Sequence, residues 1–188
     1  MRYAAVILIS LASGVLACTP ARAQDYKFST TVNAPGIKIA GITIGASKKV
    51  TSEDKRWGPQ DVAYLEKELR AMVTRRLLAK NLMSSQGKGA RLMLTIVDVE
   101  PNRPTLQAMT KKQQLNFISF GLGGAEVSAH LIGADGKDLG EIHYRWFDDR
   151  MDSFTSNNTI WFDARHAFQW FAKRLVRELQ NPRPRQAS

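Results

Sequence analysis

From Gln24 to Val50, apolar and polar positions alternate in the manner of strands. Tyr26, Phe28, Thr30 and Val32 form one period-two set. Ile37, Ile39, Ile42 and Ile44 form a second, whose phase slips at Ala40-Gly41 as a bulge would require. Asn33-Ala34-Pro35-Gly36 reads as the turn between the two sets, and Lys48 to Lys55 as a polar loop. The period then becomes helical. Gly58-Pro59 opens a helix with proline at a tolerated first-turn position, and Asp61 sits near the positive end of its dipole. Val62, Leu65, Leu69, Met72, Val73 and Leu77 make its apolar stripe. Arg70, Arg75, Arg76 and Lys80 lie largely off that stripe. Asn81 and the run Ser84 to Gly89 end the helix.

Arg91 to Val99 (RLMLTIVDV) carries apolar residues on both faces, with Leu92, Leu94 and Ile96 on one and Met93, Val97 and Val99 on the other. That pattern predicts a central strand, closed by Pro101 and Pro104. Asp135-Gly136 then marks a hairpin. With those two residues as the loop, Val127 faces Tyr144, Ala129 faces Ile142 and Ala125 faces Trp146. On the other face Glu126 meets Arg145 and His130 meets Glu141. A register displaced by one residue would set apolar against polar throughout. After it, Asp163 reads as an N-cap, followed by an amphipathic helix through Ala164, Ala167, Phe168, Phe171, Leu175 and Leu179. The order strands, helix, strand, hairpin, helix predicts an α/β chain of the α+β type. It is a two-layer sandwich: a largely antiparallel sheet of four to five strands with two amphipathic helices on one face.

The N-terminus reads as an address. Arg2 precedes an uncharged apolar run from Ala4 to Leu16, 13 residues long. That suits an export signal, and a spanning helix needs roughly 20. Two processing readings stand side by side. Ala21-Arg22-Ala23 is a small-x-small site, with cleavage between Ala23 and Gln24. Val15-Leu16-Ala17-Cys18 resembles a bacterial lipobox, in which Cys18 would be lipidated; Ala17 and Cys18 fit that pattern and Val15 and Leu16 depart from it. The expected organisation is a signal peptide over 1–23, one domain over 24–180 and a basic disordered tail over 181–188. The protein is then periplasmic, or tethered through Cys18, with no transmembrane segment in the mature chain.

Composition narrows the chemistry. Lys and Arg number 27 against 17 for Asp and Glu, a formal balance of +10 over 188 residues, and there is one cysteine. A disulfide framework and a cysteine zinc site are excluded. Removing residues 1–23 takes away Arg2 and Arg22 and lowers the balance by two, to +8. His130, Glu141 and His143 on one hairpin face are the candidates for a metal-assisted enzyme, and no H-x-H or H-E-x-x-H spacing supports them; a solvated polar sheet face with ordinary cross-strand pairs accounts for them better. His166 reads as a surface residue. Asp148, Asp149 and Asp152 fail the calcium-loop pattern, because Arg150 takes an alternate position and no glycine follows. Phe120-Gly121-Leu122-Gly123-Gly124 precedes a strand, so it is no dinucleotide or phosphate loop, and its glycines read as permitting close approach. Two long loops stand out. A short helix near Thr105 to Gln113 would occupy the first, and the second runs from Asp148 to Phe162. Trp57, Trp161 and Trp170 read as packing residues.

The stretches RLMLTIVDVEPNRPT and SFGLGGAEVSAHLIGADGKDLGEIHYRW resemble small bacterial envelope proteins of a family of unknown function, many of them lipoprotein-like. The shared parts are the strand Leu92–Val99, the glycine lead-in Phe120–Gly124, the strands Ala125–Ile132 and Leu139–Trp146 about Asp135-Gly136, and the helix Asp163–Leu179. The resemblance implies an envelope location and a non-enzymatic role, with no catalytic residues and no cofactor. The expectation is an exported accessory or binding domain for a protein partner or an anionic envelope component. Arg75, Arg76, Lys111, Lys112, Arg174 and Arg177 are the candidate contacts, and nucleic acid is not expected as a partner. The tethered form would be a lipoprotein accessory in assembly or transport.

Overall fold

The computed structural model describes residues 25–52, 56–112, 114–115, 121–148 and 159–181. The processing sites at Cys18, Ala23 and Gln24 lie outside these residues, as do Asp149, Asp152 and positions 182–188 of the tail. The elements run β1 (Asp25–Thr30), β2 (Ile39–Ala46), α1 (Lys48–Thr51), α2 (Pro59–Ala79), β3 (Ala90–Glu100), α3 (Leu106–Lys111), β4 (Gly124–Ile132), β5 (Asp138–Phe147) and α4 (Phe162–Gln180). The strands form one five-stranded sheet in the order β1-β5-β4-β3-β2. All pairings are antiparallel except β2 with β3. With α2 and α4 packed on one face, this is the α+β two-layer arrangement that the periodicity predicts.

The hairpin keeps the expected pairs, Val127 with Tyr144, Ala129 with Ile142, Ala125 with Trp146 and Glu126 with Arg145, by a less direct route. The Gly133 N–H donates to the Lys137 carbonyl at 2.7 Å, so the loop holds three residues instead of two. Gly136 takes the left-handed conformation there, φ 82°. That loop alone would offset the register by one. A bulge between the pairs Leu131–Gly140 and Ile132–Asp138 restores it. The apolar face could not be buried otherwise, and this requirement selects the register.

Three expectations need correction. Asn33 to Gly36 does not join neighbouring strands, because β1 and β2 lie on opposite edges of the sheet. The connection instead crosses the sheet's end, where the Gly36 N–H donates to the Leu179 carbonyl at 2.8 Å. Second, the segment after β2 holds one helical turn, α1, because the Ser47 hydroxyl accepts from Val50 N–H and caps it. Third, Val99 faces the core. A bulge at Val97, between the pairs Ile96–Val127 and Asp98–Glu126, turns Asp98 outward and Val99 inward. Ser47 donates to the displaced Val97 carbonyl at 2.7 Å. The second expected bulge is present, between Ile39 and Gly41. α3 fills the first long loop, capped by Thr105.

The core lies between sheet and helices. Leu65, Leu69, Val73 and Leu77 of α2 and Phe168, Phe171 and Leu175 of α4 pack over Leu92, Leu94, Ile96, Val127, Ile142 and Tyr144. The far face of the sheet is uncovered by helix, and Met93 there is 44% exposed. β3 is thus an interior strand buried on one face only. The two helices run parallel: Trp161 Nε1 donates to Asp61 Oδ1 at 3.1 Å, and Arg165 Nε to Glu68 Oε2 at 2.7 Å, near their N-termini. Their C-terminal ends therefore lie side by side. Because the layer is one-sided, Phe171→Ala should cost about 3–5 kcal/mol in chemical denaturation, whereas Met93→Ala should stay within about 0.5 kcal/mol.

Candidate anion-binding surface

The paired C-terminal ends of α2 and α4 enclose a cleft of about 370 Å³. Arg76 and Lys80 line it from the α2 side, and Trp170, Lys173, Arg174 and Arg177 from α4, with no acidic residue among the lining. Arg76 lies in the last turn of α2, next to its last buried residue, Leu77, and Lys80 is its C-cap; both are exposed.

These cations differ in what already holds them. The Arg174 guanidinium carbon lies 4.6 Å from the Tyr26 ring centre, 5.2 Å from Phe28 and 5.9 Å from Tyr144. Burial pushes the Tyr144 hydroxyl far above its ordinary range, with the Arg174 charge opposing, so that phenol stays neutral. Arg177 pairs with Glu178 at 3.4 Å, and Lys173 lies 4.9 Å from the Trp170 ring centre. Arg76 and Lys80 have no acidic partner among the described residues.

The six predicted contacts do not form one patch. Arg76, Arg174 and Arg177 converge on the cleft, and Arg75 is exposed on α2 outside it. Lys111 and Lys112 end α3, whose capping Thr105 donates to the Arg56 carbonyl just before α2. They therefore belong to the opposite end of the helix pair. Lys80, Lys173 and Trp170 complete the cleft; helical spacing placed the lysines among surface charges, but no local signal brought α2 and α4 into contact.

His130, Glu141 and His143 share the uncovered sheet face without uniting. His130 Nε2 lies 3.0 Å from Asp138 Oδ1, although its register partner is Glu141. His143 Nε2 lies 2.8 Å from Glu126 Oε1, while Arg145 donates to Glu126 Oε2 at 2.6 Å. Burial would raise the Glu126 carboxyl, but the bonds from Arg145 and His143 outweigh it and hold the group below its ordinary value. Asp98 continues the chain of charges, 2.6 Å from Lys49. Among the described residues no three His, Cys, Asp or Glu side chains converge as metal ligands.

No protein-family model matches the chain, and no curated protein does either. Among solved structures it is similar to a PelC point variant from Paraburkholderia phytofirmans, solved as a dodecamer, at 12% identity and a TM-score of 0.43, covering 84% of this chain and 95% of that one. A PelC dodecamer of the same organism in another crystal form aligns at 14% identity and a TM-score of 0.36, over 84% and 96% of the two chains. No helix among the described residues is long and apolar enough to cross a membrane.

A buried polar knot at the other end sets where α4 begins. Asp163 is not the N-cap, which is Trp161; it sits inside the first turn. Its Oδ2 accepts from Asn102 Nδ2 and, at 3.3 Å, from Gly123 N–H, while Asn102 Oδ1 accepts from Asp163 N–H at 2.9 Å. A Cβ at Gly123 would lie 2.5 Å from Asn102 Oδ1, and one at Gly124 would lie 2.4 Å from the Trp146 carbonyl oxygen. The glycine run thus serves close approach, as expected of it. Burial raises the Asp163 carboxyl above its ordinary value, opposed by the Asn102 bond and reinforced by the Asp148 charge. A carboxyl raised in the folded state binds its proton more readily there, so stability falls as pH rises through the raised value. Asp163→Asn keeps an acceptor oxygen and removes that charge. Its melting temperature relative to wild type should be higher at pH 7 than at pH 4, whereas Asp163→Ala should lose about 1–3 kcal/mol, leaving Asn102 and Gly123 donors unsatisfied.

Proposed function

We propose that this is an exported, non-enzymatic envelope protein that binds an anionic envelope component at the cleft between the C-terminal ends of α2 and α4. The observation that carries the reading is the exposed pair Arg76 and Lys80, which have no acidic partner among the described residues and line, with Lys173, a cleft with no acidic residue in its lining. Paired surface charges contribute little to binding because they are already compensated; unpaired ones of one sign concentrate counter-charge and steer encounter. The leader from Arg2 to Leu16 supports export.

The mature chain, mixed with dextran sulfate or with phosphatidylglycerol vesicles in low salt, is expected to be retained on at least one of the two. That retention should weaken at 0.5 M salt and be absent on phosphatidylcholine vesicles. The triple variant Arg76→Glu, Lys80→Glu, Lys173→Glu should bind at least 10-fold more weakly, with Lys111→Glu, Lys112→Glu within two-fold of wild type. Retention equal on neutral and anionic probes, or none on either anionic probe, overturns the reading. Export has its own check. Intact mass of the chain recovered from the bacterial envelope should begin at Gln24; a mass carrying diacylglyceryl on Cys18 would establish the tethered form instead, and a retained leader would refute export.

A further inference from the structure

The aromatic residue lining the cleft, Trp170, is tied to His166. His166 of α4 is held between two indoles, its ring centre 5.1 Å from that of Trp146 on β5 and 6.0 Å from that of Trp170 one turn along α4. Trp170 Nε1 is within hydrogen-bond distance of His166 Nε2. An indole N–H only donates, so Nε2 is the accepting, unprotonated nitrogen and the imidazole is neutral in this arrangement. A proton added at Nε2 would place two donors against each other. Trp170 would have to release His166, and the half-buried imidazolium would remain against the tilted Trp146 ring, where a cation near an indole is favourable.

Trp170 is 41% exposed and lines the same cleft as Arg76, Lys80 and Arg177, with Lys173 over its ring. We infer that His166 is a pH-operated latch on the anion-binding cleft: neutral, it pins Trp170 by its indole N–H; protonated, it frees Trp170 and adds a positive charge beside the cleft. The inference concerns regulation and rests on the reading of the cleft as the binding surface. The titratable or charged groups around the latch are few. On α4 the charged neighbours are Asp163, one turn before His166, and Lys173, over the Trp170 ring. On β1, Tyr26 is the register partner of Trp146, and on β4 the partner is the uncharged Ala125. The Asp163 carboxyl, itself raised by burial, is a titrating neighbour, and the flat Trp170 signal expected of His166→Gln separates its proton from that of His166.

The test separates latch from surface. In nitrogen-15 spectra the protein's four tryptophans give four indole signals, assigned by Trp170→Phe. Between about pH 8 and 5 the Trp170 signal should move with the same midpoint as the His166 ring protons, while Trp57 and Trp161 stay still. In His166→Gln, whose amide oxygen accepts from the indole without titrating, the Trp170 signal should be flat. A Trp170 signal that stays still while His166 titrates, or that moves alike in His166→Gln, overturns the latch. Dextran sulfate, whose charge is constant over this range, supplies the second arm. Wild-type affinity should gain about three-fold more than the His166→Gln variant on going from pH 8 to 5.5. Equal gains in both overturn the coupling and leave the surface standing; absence of binding to dextran sulfate and to phosphatidylglycerol vesicles at both pH values overturns the surface, with the indole signals still deciding the latch.

Discussion

The pairing of Asn102 with Asp163 determines where α4 starts, and the placement of the basic cleft follows from it. Three chain segments meet there: the exit of β3, the approach to β4 through Gly123, and the first turn of α4. Asn102 also bonds through its backbone, donating to the Ile160 carbonyl and accepting from Gly121, each at 2.8 Å. A helix lying on a sheet can slide along its axis at little cost in buried area. Directional bonds at its first turn remove that freedom. At the far end the Leu179 carbonyl, held by Gly36 N–H, does the same. With both ends pinned, α4 lies parallel to α2 and their C-termini are brought together.

Much of this was legible from periodicity and much was not. The β4–β5 register could be read because the Asp135-Gly136 turn limits the slip and one face is uniformly apolar, so a register displaced by one residue buries polar groups. Helix α2 was legible to its first residue, since Gly58-Pro59 is a local signal. The placement of β1 and β2 was illegible. Alternation says which face of a strand is buried and nothing about which strand lies beside it, so a turn sequence at Asn33 to Gly36 looked like a hairpin. The inward turn of Val99 was hidden because a bulge at Val97 is stabilised from Ser47, fifty residues earlier. Asp163 was recognisable as belonging to a helix start, but its partner Asn102 lies 61 positions away and no local pattern encodes that distance.

The candidate surface shows the same limit. Basic residues on two helices are visible in the sequence as exposed charge, yet only packing decides which share a neighbourhood. Lys111 and Lys112 were grouped with Arg75, Arg76, Arg174 and Arg177 because all six are basic, and α3 carries them to the opposite end. Conversely, Lys80, Lys173 and Trp170 join the cleft because α2 and α4 run parallel. The latch was further out of reach. His166 and Trp170 are one turn apart and so were potential neighbours from spacing alone, but Trp146, which completes the clasp, comes from a strand.

A cluster of cations where two helices end has an ordinary explanation, and its magnitude shows how far that explanation goes. Each helix C-terminus carries about half a negative charge. Two in parallel thus call for about one positive charge, contributing roughly 0.3–1 kcal/mol per suitably placed cation. The cleft holds Arg76, Lys80, Lys173, Arg174 and Arg177. Arg174 is engaged with three aromatic rings, and Arg177 has Glu178. Arg177 lies in the last turn of α4 and Arg76 in the last turn of α2, one cation to each dipole. Lys80, at the C-cap of α2, and Lys173, over the Trp170 ring, add positive charge beyond that. Uncompensated like charges across a cleft repel and cost stability. A negative ligand in the cleft would relieve that repulsion, which is what the proposed binding adds to the account of the fold.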